Sequence, residues 1–296
     1  MRVTLCGTRG SLASPGPHTA RYGGNTSCVE VQGDDGTVLI LDAGTGIRRL
    51  GLTLSGSPRR VDVLLTHLHM DHIQGLAFFR LLRTPGVEVH IWGPASATLN
   101  LRARLTRYLS PPLFPVFLRD MPSTLFLHEV PFGSASHSLR SGTSQGRPCG
   151  DFEVGEFRIS SALVCHPDPT VGYRIAASNA VLTYLPDHEP ALGVDRFPWS
   201  RDWTSGYALA RDADLLIHDA QYTDDEYAER VGFGHSSVPQ AFAFAKITEV
   251  RHLVPFHHDP AHTDDDLDRL MAETMASAKP QFAVTPGVEG ASFDLN

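Results

Sequence analysis

The stretch THLHMDH contains three histidines and one aspartate within six positions, and its candidate metal ligands are His67, His69, Asp71 and His72. Imidazole nitrogen and carboxylate oxygen suit Zn²⁺, Mn²⁺ and iron, with zinc bonds of about 2.0–2.2 Å. His67 and His69, two residues apart at the end of a predicted strand, point the same way and would bind one ion. Asp71 and His72 fall in the next turn and would bind a second. A histidine-rich surface turn is the alternative interpretation.

Further ligands for two ions are expected where later strands end. His166 follows the apolar run SSALVC, Asp187 follows AVLTYLP, and His257 follows HLVPF. A lone histidine at a strand end is usually an ordinary polar residue, so each position alone indicates little. Three such residues, each after an apolar run, favour a shared metal site. His258 is the alternative to His257, and the position of His257 at the strand end favours His257.

Composition sets the class of protein and the partners that fit it. The chain has 296 residues, 42% of them hydrophobic, which favours a folded protein. Its formal charge of −8 argues against a surface that is positive overall and attracts nucleic acid. The arginines within 102–107 predict a solvated helix face, with a phosphate-facing patch as the alternative. The four cysteines, at positions 6, 28, 149 and 165, form no C-x-x-C pair, which favours a reduced, cytoplasmic setting. Neither a signal peptide nor a membrane span is predicted.

The elements that must position these side chains are short strands and surface helices. Apolar runs bounded by turn residues predict strands at 2–7, 27–32, 37–44, 61–67, 87–93, 124–130, 156–166, 171–177, 180–187, 213–220 and 252–258. Helices are predicted at 73–82, 95–109, 201–211, 236–247 and 263–278. The stretch 110–150 is predicted to form loops around one strand, with 133–150 mobile. The expected fold class is α/β: two sheets packed face to face with helices outside, a four-layer αββα sandwich in a single domain over residues 1–296.

With these motifs in place, the sequence resembles the metallo-β-lactamase superfamily. The likeness runs over nearly the whole chain, through GTRGS, RYGGNTSCVEV, LDAGTG, THLHMDH, VGYRI, YLPDHEP, DLLIHDAQYT, GFGHSS and FHHDP in the family's order. The H-x-H-x-D-H element is specific for the superfamily. The H-S-S element and Asp187 are typical of its phosphodiesterase branch, which contains ribonuclease Z and the cyclic-phosphate and cyclic-nucleotide phosphodiesterases.

The resemblance implies a role for each candidate residue. His67, His69 and His166 would bind the first ion; Asp71, His72 and His257 would bind the second; Asp187 would bridge them. Asp71 would also orient the nucleophile or accept its proton. His235 matches the family's catalytic histidine outside the metal shell, whereas a neighbour of the helix N-cap at Ser236 or Ser237 is the alternative. Asp219 and Asn25 would orient a histidine, although Asn25 is equally well explained as a turn residue.

The resemblance also implies the reaction: hydrolysis of a phosphodiester by metal-activated hydroxide, with two divalent transition-metal ions, zinc before manganese or iron. The chain is acidic, and no long basic arm of the kind that grips tRNA stands out. A small, cyclic substrate such as a cyclic nucleotide or a ribose cyclic phosphate is therefore expected, without a membrane or an extended nucleic acid as partner. The alternatives are a ribonuclease Z-like RNA 3′-processing endonuclease and a lactonase or thioesterase. The oligomeric state stays open, a homodimer included.

Overall fold

The computed structural model describes residues 1–54, 58–130, 151–194, 197–199 and 201–296. The predicted mobile loop 133–150 lies outside these residues. The chain forms two compact units: the first is Met1–Val130 with Val288–Asp294, and the second is Pro131–Gly287 with Leu295–Asn296. Whether the whole chain acts as one domain stays a prediction.

The described residues form fourteen strands and seven α-helices. The strands are β1 (Arg2–Gly7), β2 (Cys28–Gln32), β3 (Val38–Leu41), β4 (Arg60–Leu64), β5 (Glu88–Pro94), β6 (Thr124–Val130), β7 (Asp151–Val154), β8 (Phe157–Leu163), β9 (Val171–Ala177), β10 (Ala180–Leu185), β11 (Leu215–Asp219), β12 (His252–Phe256), β13 (Ala283–Val284) and β14 (Ser292–Asp294). The helices are α1 (Gly46–Thr53), α2 (Met70–Ile73), α3 (Leu101–Tyr108), α4 (Tyr207–Ala210), α5 (Asp224–Glu229), α6 (Val238–Ile247) and α7 (Asp264–Ala278).

The first unit contains one mixed seven-stranded sheet in the order β14-β1-β2-β3-β4-β5-β6. Strands β3 to β6 run parallel, whereas β14, β1 and β2 pair antiparallel. Valine and isoleucine side chains of β4 and β5, such as Val63 and Ile91, lie in a hydrophobic core with Ile47 of α1 and Leu105 of α3. The carboxyl ends of β3 and β4 meet at one edge, so the loops that follow them are neighbours.

The second unit contains a second mixed sheet in the order β13-β12-β11-β10-β9-β8-β7. Strands β10 to β13 run parallel, and β7 to β10 pair antiparallel. Buried residues of α6, such as Phe244, pack with Leu216 of β11 and Leu253 of β12. The parallel register brings the carboxyl ends of β10, β11 and β12 to one edge, as in the first unit.

Helix starts in the second unit follow strong local signals. Thr223, Ser237 and Thr263 are the N-caps of α5, α6 and α7, each within a complete capping box. Three aspartates in the first turn of α7 suit the positive end of its dipole. Helices α6 and α7 therefore lie close to where the sequence predicts them.

The predicted helix at 73–82 is wrong. Helix α2 ends at Ile73, and two short 3₁₀ segments follow, Leu76–Phe78 and Arg80–Arg83. The N–H of Gly75 donates to the carbonyl of Ala43 at 2.9 Å, so a tertiary hydrogen bond takes the donor that a continuing helix would use.

Other boundaries differ for local reasons. The helix predicted at 95–109 begins at Leu101, because the Asn100 side chain accepts the N–H of Ala103 as an N-cap. The helix predicted at 201–211 is a 3₁₀ turn followed by α4, with Gly206 between them at φ 72°. Strands β4 and β8 end three residues before His67 and His166, which therefore lie in loops. Helices α1 and α5 were not predicted.

Two sequence predictions concern the chain as a whole. Among the described helices, none combines the length and the apolar character needed to cross a bilayer. Cys6, Cys28 and Cys165 are not in disulfides, and Cys149 lies outside the described residues.

Two fully buried histidines contact each other: His218 in β11, and His188 in the segment that follows β10. The Nδ1–H of His218 donates to the backbone carbonyl of Asp219, and His188 Nδ1 lies 2.9 Å from His218 Nε2. Burial lowers the pKa of His218 from 6.5 to about 4 and lowers the pKa of His188 well below its usual value. Both imidazoles are therefore neutral in the folded protein at neutral pH.

We expect the free energy of unfolding to fall as pH drops from about 6.5 to about 4, because only the unfolded chain takes up these protons in that range. A shift of this size in one group corresponds to about 3 kcal/mol. Denaturant unfolding of the wild type and His218→Asn at pH 7.5 and 4.5 measures it: the variant should lose less stability on acidification. Equal losses of stability in the two proteins would show that His218 does not cause the pH dependence. Release of bound metal at low pH would lower the stability of both proteins alike and would not produce the expected difference.

Candidate metal centre

The first donor set lies in the loop and helix that follow β4, and consists of His67, His69, Asp71 and His72. The ring of His67 is 4.4 Å from the ring of His69 and 4.2 Å from that of His72, measured between centroids. His67, Asp71 and His72 are buried. Asp71 Oδ2 accepts the N–H of Ser11 at 2.8 Å and lies 3.3 Å from His72 Nε2. The four side chains predicted from the spacing are therefore brought together within the first unit.

Asp42, directly after β3, orients two of these histidines. Its Oδ2 accepts a hydrogen bond from His72 Nδ1 at 2.8 Å, and its Oδ1 accepts the Thr66 N–H at 2.8 Å. The Thr66 hydroxyl donates to the same carboxylate and accepts from His67 Nδ1 at 3.0 Å. Both imidazoles thus carry their proton on Nδ1, which leaves Nε2 as the coordinating nitrogen. Sequence reasoning missed Asp42, although the aspartate in LDAGTG at a strand end was a usable signal.

The second donor set lies at the carboxyl ends of the parallel strands of the second unit. Asp187 follows β10 and is buried. Its Oδ1 lies 3.3 Å from His257 Nε2, and its Oδ2 lies 3.7 Å from His166 Nε2. His257 follows β12 directly and adopts φ 61°, a left-handed conformation that turns its side chain out of the strand direction. His166, Asp187 and His257 therefore form one cluster within this unit.

Oxygen acceptors orient the two histidines of the second donor set as well. His166 Nδ1–H donates to the carbonyl of Gly234 at 2.9 Å, and His257 Nδ1–H donates to Gln221 Oε1 at 3.0 Å. The Nε2 atoms face the Asp187 carboxylate. Sequence reasoning missed Gln221, since a glutamine two residues beyond a strand has no specific pattern.

His235 lies beside this cluster and is held by Asp219, the last residue of β11. Its Nδ1–H donates to Asp219 Oδ2 at 2.7 Å, while Asp219 Oδ1 accepts the backbone N–H of Ser236 and of Gln221. His235 Nδ1 is 4.0 Å from Asp187 Oδ2, and its ring stacks on His257 at 5.0 Å. The predicted contact of Asp219 with a histidine is present. Ser237, not Ser236, is the N-cap of α6, so His235 stands two residues before the cap.

Three donor atoms of Asp219, His235 and His257 lie within 4.8 Å of one another, an arrangement that itself could hold an ion. The short Asp219–His235 hydrogen bond is typical of a positioned acid–base histidine instead, because it fixes the tautomer and stabilises the imidazolium form.

Two other sequence-predicted residues have different surroundings. The Asn25 side-chain amide donates to Glu289 Oε2 at 3.0 Å, a carboxylate rather than a histidine, so its role in orienting a histidine stays a prediction. His258 Nε2–H donates to the carbonyl of Gly287 at 2.8 Å, whereas His257 faces Asp187. Within the second unit the geometry therefore favours His257 over His258.

The family assignment follows from comparison with known proteins. Residues 37–258 match the Lactamase_B_2 family, the Beta-lactamase superfamily domain. The chain belongs to this superfamily. The matched residues contain the first donor set, the second donor set, Asp219 and His235, so the superfamily resemblance predicted from the motifs is confirmed.

Curated relatives of this superfamily member include ribonuclease Z proteins. The ribonuclease Z of Myxococcus xanthus strain DK1622 is 28% identical, over all of this chain and 98% of the relative. The ribonuclease Z of Gemmatimonas aurantiaca is 24% identical, over 79% of this chain and 80% of the relative.

Solved structures share the fold. The metallo-β-lactamase fold protein YhfI from Bacillus subtilis has a TM-score of 0.68 and 17% identity, with 99% of both chains covered. The short form of human tRNase Z has a TM-score of 0.67 and 21% identity, with both chains fully covered. These likenesses, with two mixed sheets and their helices, confirm the predicted α/β metallo-β-lactamase fold class.

The residues of both donor sets fit divalent metal ions. Imidazole and carboxylate donors suit ions of the zinc class, and four histidines have Nδ1 bonded to an oxygen so that Nε2 is the nitrogen offered. Such outer hydrogen bonds hold ligands in the metal-binding tautomer. The two sets therefore indicate divalent metal binding, without deciding which metal.

We expect Asp42→Asn to weaken metal binding about 10- to 100-fold, because an asparagine NH₂ facing His72 Nδ1 would repel the tautomer that leaves Nε2 for the metal. Competition with a chromophoric chelator measures the affinity. Asp62→Asn is the matched control: Asp62 is also buried, but accepts from Arg60 and Trp92 rather than from a histidine. The same affinity in Asp42→Asn as in the control would rule out the orienting role of Asp42.

Proposed function

We propose that this metal-dependent phosphodiester hydrolase acts on a small, cyclic phosphodiester such as a cyclic nucleotide or a ribose cyclic phosphate. The observation that carries the proposal is the Asp219–His235 hydrogen bond of 2.7 Å beside Asp187, since cleavage of a phosphodiester needs a proton donor for an alkoxide leaving group. A thioester hydrolase has less need of such a donor, because its leaving group is a thiolate.

The proposal assigns both donor sets to one dinuclear centre, as the family resemblance implies. His67, His69 and His166 would hold one ion, and Asp71, His72 and His257 the other, with Asp187 shared. When bound, two such ions would polarise a phosphoryl oxygen and supply hydroxide at neutral pH by lowering the pKa of water. Zinc suits the histidine-rich donor set, and manganese or iron would also be accommodated.

The protein's own residues divide the remaining tasks. Asp71, which receives the Ser11 N–H, would orient the attacking oxygen through its carboxylate. His235 would give a proton from Nε2 to the leaving oxygen, because Asp219 holds Nδ1–H and stabilises the cationic ring. Asp219 would keep His235 in that tautomer throughout.

The size of the substrate is inferred from charge. The formal charge of −8 opposes a long polyanion. Of the α3 arginines, Arg104 is half-buried and donates to the carbonyl of Pro94 near Glu129, so it belongs to the fold. Arg102 and Arg107 are exposed and supply only two cations on that helix. This supports a solvated face rather than a patch for several phosphates.

Ribonuclease Z activity is the second candidate, and the curated relatives favour it. The Myxococcus xanthus ribonuclease Z aligns with the whole chain. As a ribonuclease Z, the protein would apply the same chemistry to the 3′ end of an RNA, and it would need a surface that binds a polyanion.

Substrate preference separates these two candidates. We expect hydrolysis of cyclic nucleotides or ribose cyclic phosphates with a kcat/KM that changes little between 50 and about 200 mM salt, because one diester phosphate makes few ionic contacts. The assay compares them with a precursor tRNA at both salt concentrations. Efficient tRNA cleavage with a steep salt dependence, and no turnover of cyclic substrates, would replace the proposal by the ribonuclease Z candidate. Turnover of thioesters or lactones alone would exclude both.

Metal content separates the proposed ligands from His235. The wild type should bind two ions per chain, and His67→Ala should lose metal and activity together. His235→Ala should keep both ions while kcat for a poor leaving group falls by about 10²–10⁴-fold, and by less for p-nitrophenolate, which hardly needs a proton. Elemental analysis and kinetics of the three proteins measure this. Loss of metal in His235→Ala would make His235 a ligand.

A further inference from the structure

A buried carboxylate outside the two donor sets holds the loop that carries His235. Glu189, two residues after Asp187, has none of its surface exposed. Its Oε1 accepts the N–H of Gly232 at 2.8 Å and the Tyr227 hydroxyl at 3.0 Å, and its Oε2 accepts the N–H of Gly234 at 2.8 Å. Two backbone N–H groups and one hydroxyl therefore stabilise this carboxylate.

The loop of residues 232–234, which Glu189 binds, requires glycine. Gly232 and Gly234 have φ of 89° and 92°, in the region that other residues rarely adopt. A Cβ on Gly234 would lie 2.2 Å from His166 Nδ1, so the backbone must approach that ring without a side chain. The two N–H groups point to one carboxylate because the chain takes this glycine-dependent path.

The loop acts on His166 and His235, two of the three histidines that lie beside Asp187. The carbonyl of Gly234 accepts the proton of His166 Nδ1 at 2.9 Å, and the next residue is His235, whose Nδ1 donates to Asp219. A displacement of the Gly232–Gly234 backbone would therefore move the acceptor of a proposed metal ligand and the attachment point of the proposed acid. Misplacement of a reacting group by about 1 Å costs up to about 10²-fold in rate.

We propose that Glu189 is a positioning residue, which fixes the Gly232–Gly234 backbone and through it the orientation of His166 and His235. The role of His235 in this proposal rests on the proposed phosphodiester hydrolysis, whereas the role of His166 does not. A carboxylate is required because two N–H donors point at two different oxygens. The amide of a glutamine offers one oxygen, and its NH₂ would face the second N–H.

The test uses Glu189→Gln in the full chain, with Tyr227→Phe as the matched control. Tyr227→Phe removes the third donor to Glu189 but leaves both glycine hydrogen bonds. Gly232→Ala is the second variant: a Cβ there meets nothing within 4 Å, but the positive φ is strained, so the same hydrogen bond is disturbed while Glu189 stays. This variant keeps the test valid even where Glu189→Gln does not fold.

Metal affinity, measured by chelator competition, gives the first readout and needs no activity. Glu189→Gln and Gly232→Ala should bind metal about 10- to 100-fold more weakly than the wild type, because His166 loses its fixed acceptor. Tyr227→Phe should bind as the wild type does. Unchanged affinity in both loop variants would overturn the proposal for His166, whatever the substrate proves to be.

Kinetics at saturating metal give the second readout. Glu189→Gln should lower kcat for a poor leaving group by about 10- to 100-fold, less for p-nitrophenolate, and hardly at all when His235→Ala is already present. The same fold-loss with and without His235 would overturn the proposal for His235. A wild type with no phosphodiesterase activity would instead overturn the proposed function and leave the metal readout to decide the role of Glu189.

Discussion

The structure of both donor sets depends on one interaction: a histidine that offers Nε2 to a metal keeps its proton on Nδ1 and donates it to an oxygen. Thr66, Asp42, the Gly234 carbonyl and Gln221 supply that oxygen to His67, His72, His166 and His257. Asp219 does the same for His235. These hydrogen bonds are made by groups of the protein alone, so the ligands are oriented before an ion binds. Pre-orientation of this kind lowers the entropy cost of forming a metal site.

The parallel order of the strands explains why the oxygen acceptors lie next to the histidines that they orient. Asp42 follows β3 and His67 follows β4, and these two strands are parallel neighbours. Asp219 ends β11, between β10 and β12, whose ends lead to Asp187 and His257. In each unit the residues that follow adjacent strands thus lie at one edge of the sheet. A candidate ligand that follows one strand is oriented by a residue that follows the neighbouring strand. The chemistry of each donor set is a consequence of strand order.

The donor residues were predictable because their spacing is unusual, and so was the contact of Asp219 with a histidine, whereas the contacts of Gln221 and Glu189 were not. H-x-H-x-D-H by itself indicates four candidate ligands, and His166, Asp187 and His257 follow apolar runs that are visible in the sequence. Gln221 and Glu189 hydrogen-bond to residues 36 and 43 positions away, and no local pattern encodes such contacts. The helix predicted at 73–82 failed for the same reason, since Gly75 hydrogen-bonds to Ala43 instead of continuing the helix. Sequence periodicity identifies elements; tertiary hydrogen bonds decide where they end.

The glycine packing beneath the first donor set has a consequence for ion size. A Cβ on Gly44 would lie 2.3 Å from the carbonyl oxygen of Asp71, and the N–H of Ala43 donates to the carbonyl of His72 at 2.7 Å. The backbone of residues 43–44 is therefore in direct contact with the backbone of residues 71–72, and the loop that carries the first donor set has little room to widen. Calcium needs six to eight oxygens at about 2.3–2.6 Å and a yielding loop, whereas zinc accepts four donors at about 2.0–2.2 Å. Three of the four donor side chains on this loop are imidazoles, and a loop held in this way has little freedom to supply the oxygen ligands that calcium needs.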